Sequence, residues 1–141
     1  MNLPETVNTV LESLLEDMKP RESISGIGLF GSWSRGDADS SSDVDLLVID
    51  NRDFNYEYVE RAEVDNVFLD LDYVPRKWIL QRVPPEIDQK LFEVRVMFDR
   101  DRTLTKAKEL MSKVYSKPER IEIRTENYIM EADTYLSRAR S

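Results

Sequence analysis

The sequence predicts a small α/β (α+β) domain: a mixed, strongly twisted β-sheet of about four or five strands with helices packed chiefly on one face. Three observations carry this. Two short apolar runs, Ile24–Phe30 and Val44–Ile49, have strand length and are bounded by turn residues. Three longer stretches, within 7–18, 104–114 and 121–139, place apolar residues at helical spacing. The two kinds of segment alternate along 141 residues, enough for one domain over 1–141.

Taken in order, Pro4 suits a helix start, and Val7, Val10, Leu11, Leu14, Leu15 and Met18 form one apolar stripe. Lys19-Pro20-Arg21 stops it. Ile24–Phe30 is the first strand, with Gly26 and Gly28 allowing close packing or a bend. Val44–Ile49 is the second, and Asp50-Asn51-Arg52-Asp53 turns the chain out of it. Phe54 to Arg61 has no clean period and reads as a loop or one short helix. A strand is expected from Val64 to Val74, with Asp65, Val67, Leu69, Leu71 and Tyr73 on one face and Val64, Asn66, Phe68, Asp70 and Asp72 on the other. Pro75 ends it, and Arg76–Leu80 makes a helical turn or two before Pro84-Pro85. Leu91 to Phe98 reads as another strand with Glu93 and Arg95 on a wet face. Asp101 or Thr103 caps a helix striped by Leu104, Ala107, Leu110, Met111 and Val114. After Pro118 a final helix carries Ile121, Thr125, Tyr128, Ile129, Ala132, Tyr135, Leu136 and Ala139 on a broad apolar face. Residues 119–139 are expected to pack on the core, on a partner or on a further helical domain.

Composition narrows the chemistry. Histidine and cysteine are absent, which removes imidazole acid–base catalysis, thiol nucleophiles, disulfides and the usual zinc sites. Catalysis therefore falls to carboxylates, lysines, arginines, hydroxyls or a metal held by oxygen. The formal charge of −8 argues against gripping a long nucleic acid. Residues 1–99 carry the acid excess, whereas 100–141 are net basic. No apolar run approaches membrane-spanning length, so the expectation is a soluble cytoplasmic protein with no membrane contact.

One stretch departs from what a packed domain needs. Phe30-Gly31-Ser32 leads through a loop of small polar residues to Asp43-Val44-Asp45, which opens an apolar strand. Strand side chains alternate, so Asp43 and Asp45 point the same way and their charges oppose one another. Such a pair either raises its pKa, recruits a hard cation through oxygen ligands, or lies on the wet face of an edge strand. Gly31 permits backbone geometry closed to other residues, and Ser32 adds a hydroxyl beside exposed N–H groups, a combination that suits a phosphate. A phosphate-binding loop ending in Gly-Lys-Ser/Thr is missing, and the alternation Asp37, Asp39, Ser41, Asp43 lacks the central glycine and terminal glutamate of a calcium loop.

These residues resemble the signature of the nucleotidyltransferase superfamily that includes DNA polymerase beta, the N-terminal domain of aminoglycoside nucleotidyltransferases and the small "minimal" nucleotidyltransferases. Phe30-Gly31-Ser32 and Asp43-Val44-Asp45 match in type and spacing, as do Ser42 before the first acid and the pair Arg35-Gly36. The resemblance implies the nucleotidyltransferase fold, and transfer of a nucleoside monophosphate from a triphosphate, ATP by analogy, to a hydroxyl. Asp43, Asp45 and a third acid would hold Mg²⁺ or Mn²⁺. Val64-Asp65-Asn66-Val67 matches the form found in small members and makes Asp65 the favoured third acid; Leu69-Asp70-Leu71 makes Asp70 the alternative. Gly31, Ser32, Arg35 and Ser42 would contact the nucleotide, with Trp33 as a base-stacking group. A protein hydroxyl is the favoured acceptor and a small molecule such as an aminoglycoside the alternative. The face of 121–139 would dock a helical protein or a second copy. A silent nucleotide-binding or interaction module is the non-enzymatic reading.

Overall fold

The two apolar runs form β1 (Ile24–Phe30) and β2 (Val44–Asp50), paired antiparallel at the centre of a five-stranded sheet. The computed structural model describes residues 3–140. The remaining strands are β3 (Tyr58–Val64), β4 (Val67–Pro75) and β5 (Arg95–Asp99), in the order β3-β4-β2-β1-β5. Only β2 and β4 run parallel, so the sheet is mixed as the sequence predicts. β2 is buried on both faces: Val44, Leu46 and Val48 enter one core, Leu47 and Ile49 the other.

The first core is closed by α1 (Glu5–Met18), whose Val7, Val10, Leu11 and Met18 pack on Ile27, Leu29, Leu69 and Tyr73. The opposite face carries α3 (Arg76–Leu80), α4 (Asp88–Glu93) and α5 (Thr103–Val114). Gly28 lets α4 and β5 approach closely, since a Cβ there would overlap the Val94 side chain. A four-residue helix, α2 (Ser32–Arg35), follows the Gly-Ser turn.

Three expectations are corrected. Residues 54–61 are no helix: β3 begins at Tyr58 and forms a hairpin with β4. The expected strand 64–74 is therefore split by a two-residue turn at Asp65-Asn66, with φ of 50° and 63°, the left-handed conformations a tight hairpin turn demands. β3 is a mostly exposed edge strand, so burial never imposed an alternating pattern on it. Leu91–Phe98 divides into α4 and β5; Leu91 and Val94, three apart, are both fully buried. The start of α5 is held chiefly by Asp99, which accepts from the N–H of Leu104 (3.2 Å) and Thr105 (2.8 Å), while Asp101 accepts from that of Thr103 (3.1 Å).

The last helix, α6 (Pro118–Arg140), is anchored at its beginning. Fully buried Asp88 accepts from Arg120 (2.7 and 2.5 Å) and Arg124 (3.0 Å), and the Arg124 guanidinium stacks on Tyr115 at 3.9 Å. Beyond that clamp Tyr128, Ile129, Met130, Tyr135 and Leu136 are all exposed. Among the described residues no helix is long and apolar enough to cross a membrane.

Candidate active site

Sheet register brings the acids together. Phe30 of β1 lies opposite Asp45 of β2, Asp45 opposite Asp70 of β4, and Asp70 opposite Arg61 of β3. One row thus crosses four neighbouring strands. Asp43 stands two residues before Asp45 and so on the same side. At the near end Gly31 turns with φ 75° and ψ −156°, a conformation that favours glycine, and a Cβ there would overlap Asp45 Oδ2. The missing side chain is what lets the turn rest against the second acid.

Of the two candidates for the third acid, Asp70 stands level with Asp45 on the adjacent parallel strand. Asp65 sits exposed in the hairpin turn, four residues before Leu69, the first fully buried residue of β4. The strand expected to carry Asp65 does not extend back to it. Trp33, expected to stack on a base, is buried in the α1-side core, and its indole N–H donates to the Ser42 carbonyl (3.3 Å). The Ser42 hydroxyl accepts from the Asp39 N–H (3.0 Å), while Asp39 accepts from the N–H (2.8 Å) and hydroxyl (2.6 Å) of Ser41. Trp33 and Ser42 hold the loop between the turn and the acids. Gly31, Ser32 and Arg35, in contrast, line a cavity of about 350 Å³ together with Asp45.

That cavity contains groups whose importance the sequence did not reveal. Glu93 accepts from the Gly31 N–H (2.9 Å) and from Arg35 (3.2 and 3.3 Å), so a carboxylate already sits on the turn amide. Lys90 reaches in from α4 over the Phe30 ring and donates to Asp72 (2.7 Å) and Glu57 (2.5 Å). Burial, then Glu57, pushes Asp72 up to about 8, and its buried Oδ1 has no hydrogen-bond partner among the described residues. Burial opposes the Lys90 charge, but its bonds to Asp72 and Glu57 outweigh that and raise its pKa. Tyr128 lines the rim from α6. Lys90, Glu93 and Glu57 are remote in sequence from the Gly-Ser motif and converge only through α4 and the loop before β3. A cavity of about 400 Å³ between α3, α5 and α6 is lined by Ile79, Leu110, Val114 and Ile123 and contains none of these acids.

Burial, reinforced by the charges of Asp70 and Asp43, pushes Asp45 up to about 6, against the pull of Lys90 and Arg35. The carboxylate is held where its negative charge is unwelcome without a cation. An all-oxygen donor set of Asp43, Asp45 and Asp70 beside a hollow kept open by Gly31 suits a hard divalent ion, Mg²⁺ or Mn²⁺. Among the described residues no three acids are gathered closely enough to hold an ion as they stand. Arg61 donates to Asp43 (2.5 Å) and Asp70 (2.9 Å) at once.

Comparison with known proteins agrees with the sheet and the motif. No curated protein matches the chain significantly. A nucleotidyltransferase-like protein from Exiguobacterium sibiricum 255-15 shares its fold, with a TM-score of 0.57 and 17% identity over 75% of this chain. The chain spans 38% of that protein's length. The sequence model of the nucleotidyltransferase domain matches residues 11–130, which takes in the Gly-Ser turn, the Asp-x-Asp strand, all five strands and the start of α6. The chain belongs to the nucleotidyltransferase domain family.

Proposed function

We propose that this domain transfers a nucleoside monophosphate from a nucleoside triphosphate, ATP by family analogy, to a hydroxyl, most favourably on a protein. The observation that carries the reading is the alignment of Asp45 with Asp70 across β2 and β4, two residues from Asp43 and against Gly31. Asp43, Asp45 and Asp70 would hold the divalent ion, with Asp70 replacing Asp65 as third acid. When bound, such an ion offsets phosphate charge and lowers the pKa of an attacking hydroxyl.

The protein's own groups do the rest. The Gly31 N–H and Arg35, which together hold the Glu93 carboxylate, offer donors of the kind a polyphosphate oxygen requires. Lys90 supplies a second positive charge within the same cavity, and Tyr128 an aromatic face at its rim for a base. The acceptor oxygen attacks the α-phosphorus, the bond from that phosphorus to the bridging oxygen of the β-phosphate breaks, and pyrophosphate leaves. The hydroxyl proton passes to the Asp70 carboxylate. Tyr128 lines the cavity from α6, and the exposed apolar residues that follow it on that helix favour a protein acceptor over a small molecule.

The test is incubation with α-³²P-labelled triphosphates, Mn²⁺ or Mg²⁺ and lysate of the native organism, followed by separation of protein, RNA and small molecules. Label in protein that disappears with Asp43→Asn supports the reading. Label confined to small molecules replaces the acceptor, and nucleotide binding without label in any fraction marks a silent module.

A further inference from the structure

Arg61 faces the acids from β3, at the outer edge of the sheet, and its position is dictated by register rather than by a flexible loop. Its Nε donates to Asp70 Oδ1 (2.9 Å) and its terminal nitrogen to Asp43 Oδ2 (2.5 Å), so one guanidinium bridges two of the three carboxylates assigned above to the metal. The Arg61 side chain is 63% exposed, against 34% for Asp43 and 23% for Asp70. Among the described residues no further strand lies beyond β3, and the long side chain has room to swing outward. Exposed pairs of this kind are individually weak, which makes the guanidinium displaceable. While it is in place, its positive charge sits on Asp70 Oδ1 and Asp43 Oδ2 and opposes a second cation drawn to the same carboxylates.

We propose that Arg61 is the built-in counter-cation of the acidic site: it occupies Asp43 and Asp70 until a divalent ion arrives, then turns to the polyphosphate that the ion accompanies. The inference rests on the assignment of Asp43, Asp45 and Asp70 as metal ligands. Its consequence is coupling. An ion arriving alone must evict Arg61 and leave its charge beside the incoming one, whereas an ion arriving with a polyphosphate gives the evicted guanidinium an anionic partner of matching geometry. Cation and nucleotide then favour each other's binding by the same factor. A purely structural Arg61 would fasten the β3–β4 hairpin and leave that factor untouched.

The experiment measures Mn²⁺ affinity of the full chain, by electron paramagnetic resonance of free Mn²⁺, alone and with α,β-methylene-ATP. It compares wild type with Arg61→Gln, Arg61→Lys and Asp43→Asn, each checked for folding by circular dichroism. Arg61→Gln is expected to bind Mn²⁺ without nucleotide about five- to tenfold more tightly, the scale of a charge-assisted exposed pair, and to lose a similar factor of cation–nucleotide coupling. Arg61→Lys, which keeps the charge without the fork, falls between and serves if the Gln variant unfolds. Unchanged or weaker Mn²⁺ binding in both Arg61 variants, with binding abolished by Asp43→Asn, overturns the role of Arg61 and leaves the metal site standing. Absence of Mn²⁺ uptake by wild type even with the analogue overturns the metal site, and this inference with it.

Discussion

Replacing Asp45 by Asn is expected to stabilise the protein and, under the function proposed above, to remove metal-dependent nucleotide binding. Asp45 is pushed from 3.8 up to about 6 because burial and its neighbours Asp70 and Asp43 disfavour its charge. An acid with a folded-state pKa above its unfolded one contributes stability that is complete below about pH 3.8 and is lost as pH rises through about 6. Asparagine, permanently neutral, keeps that contribution at all pH values. A rise of about 2 pKa units corresponds to about 3 kcal/mol. Asp45 is only half-buried, and solvent screening reduces this to about 1–2 kcal/mol. For a domain of this size the gain amounts to about 3–6 °C in Tm. Thermal melts at pH 8 and at pH 4, without divalent ions, measure it: the gain should be full at pH 8 and nearly absent at pH 4. A Tm at pH 8 equal to or below wild type, or a gain undiminished at pH 4, would refute the electrostatic account of the site.

Three further outcomes follow from the same geometry. Asp70→Asn should lose Mn²⁺-dependent binding of a nucleoside triphosphate at least about tenfold by calorimetry, since losing even an outer-shell partner of a metal ligand costs about 10–100-fold, whereas Asp65→Asn should leave it unchanged; the opposite pattern would return the third acid to the hairpin turn. Gly31→Ala forces a Cβ into Asp45 and an unfavourable backbone conformation, with an expected loss of about 1–3 kcal/mol in urea unfolding. Asp88→Asn leaves Arg120 and Arg124 facing an uncharged partner, and should both lower stability by about 3 kcal/mol and speed amide hydrogen exchange across the first turns of α6.

The parts of the fold legible in the sequence were those where burial dictates pattern. β1 and β2 are buried almost throughout, and α1 sets a clean stripe against them, so apolar period alone locates all three. β3 escaped because most of its residues face solvent, and an edge strand without an alternating face leaves no periodic trace. Its hairpin turn escaped because Asp65-Asn66 lacks the glycine that usually marks such a turn; here asparagine and aspartate take the left-handed conformations themselves. That single turn moves the start of β4 past Asp65, which is why the proposed site takes Asp70 as its third acid.

The site divides along the same line. Gly31, Ser32, Asp43 and Asp45 are neighbours in the chain, and their spacing around one turn and one strand is a local property that sequence preserves. Asp70, Arg61, Lys90 and Glu93 join them through pairing across strands and through the placement of α4, and no local spacing records those relations. The non-local groups are also the ones that balance charge. The turn amide meets the Glu93 carboxylate, and two of the acids meet the Arg61 guanidinium, so the domain satisfies with its own side chains the two charges that a metal and a polyphosphate would bring. Among the described residues Asp45 has no ion pair, and of the three acids of the row it is the one whose pKa rises. Gathering like charges in one row therefore costs stability at Asp45, which no side chain among the described residues neutralises, and that is why the melt of Asp45→Asn reads the electrostatics of the site without any ligand present.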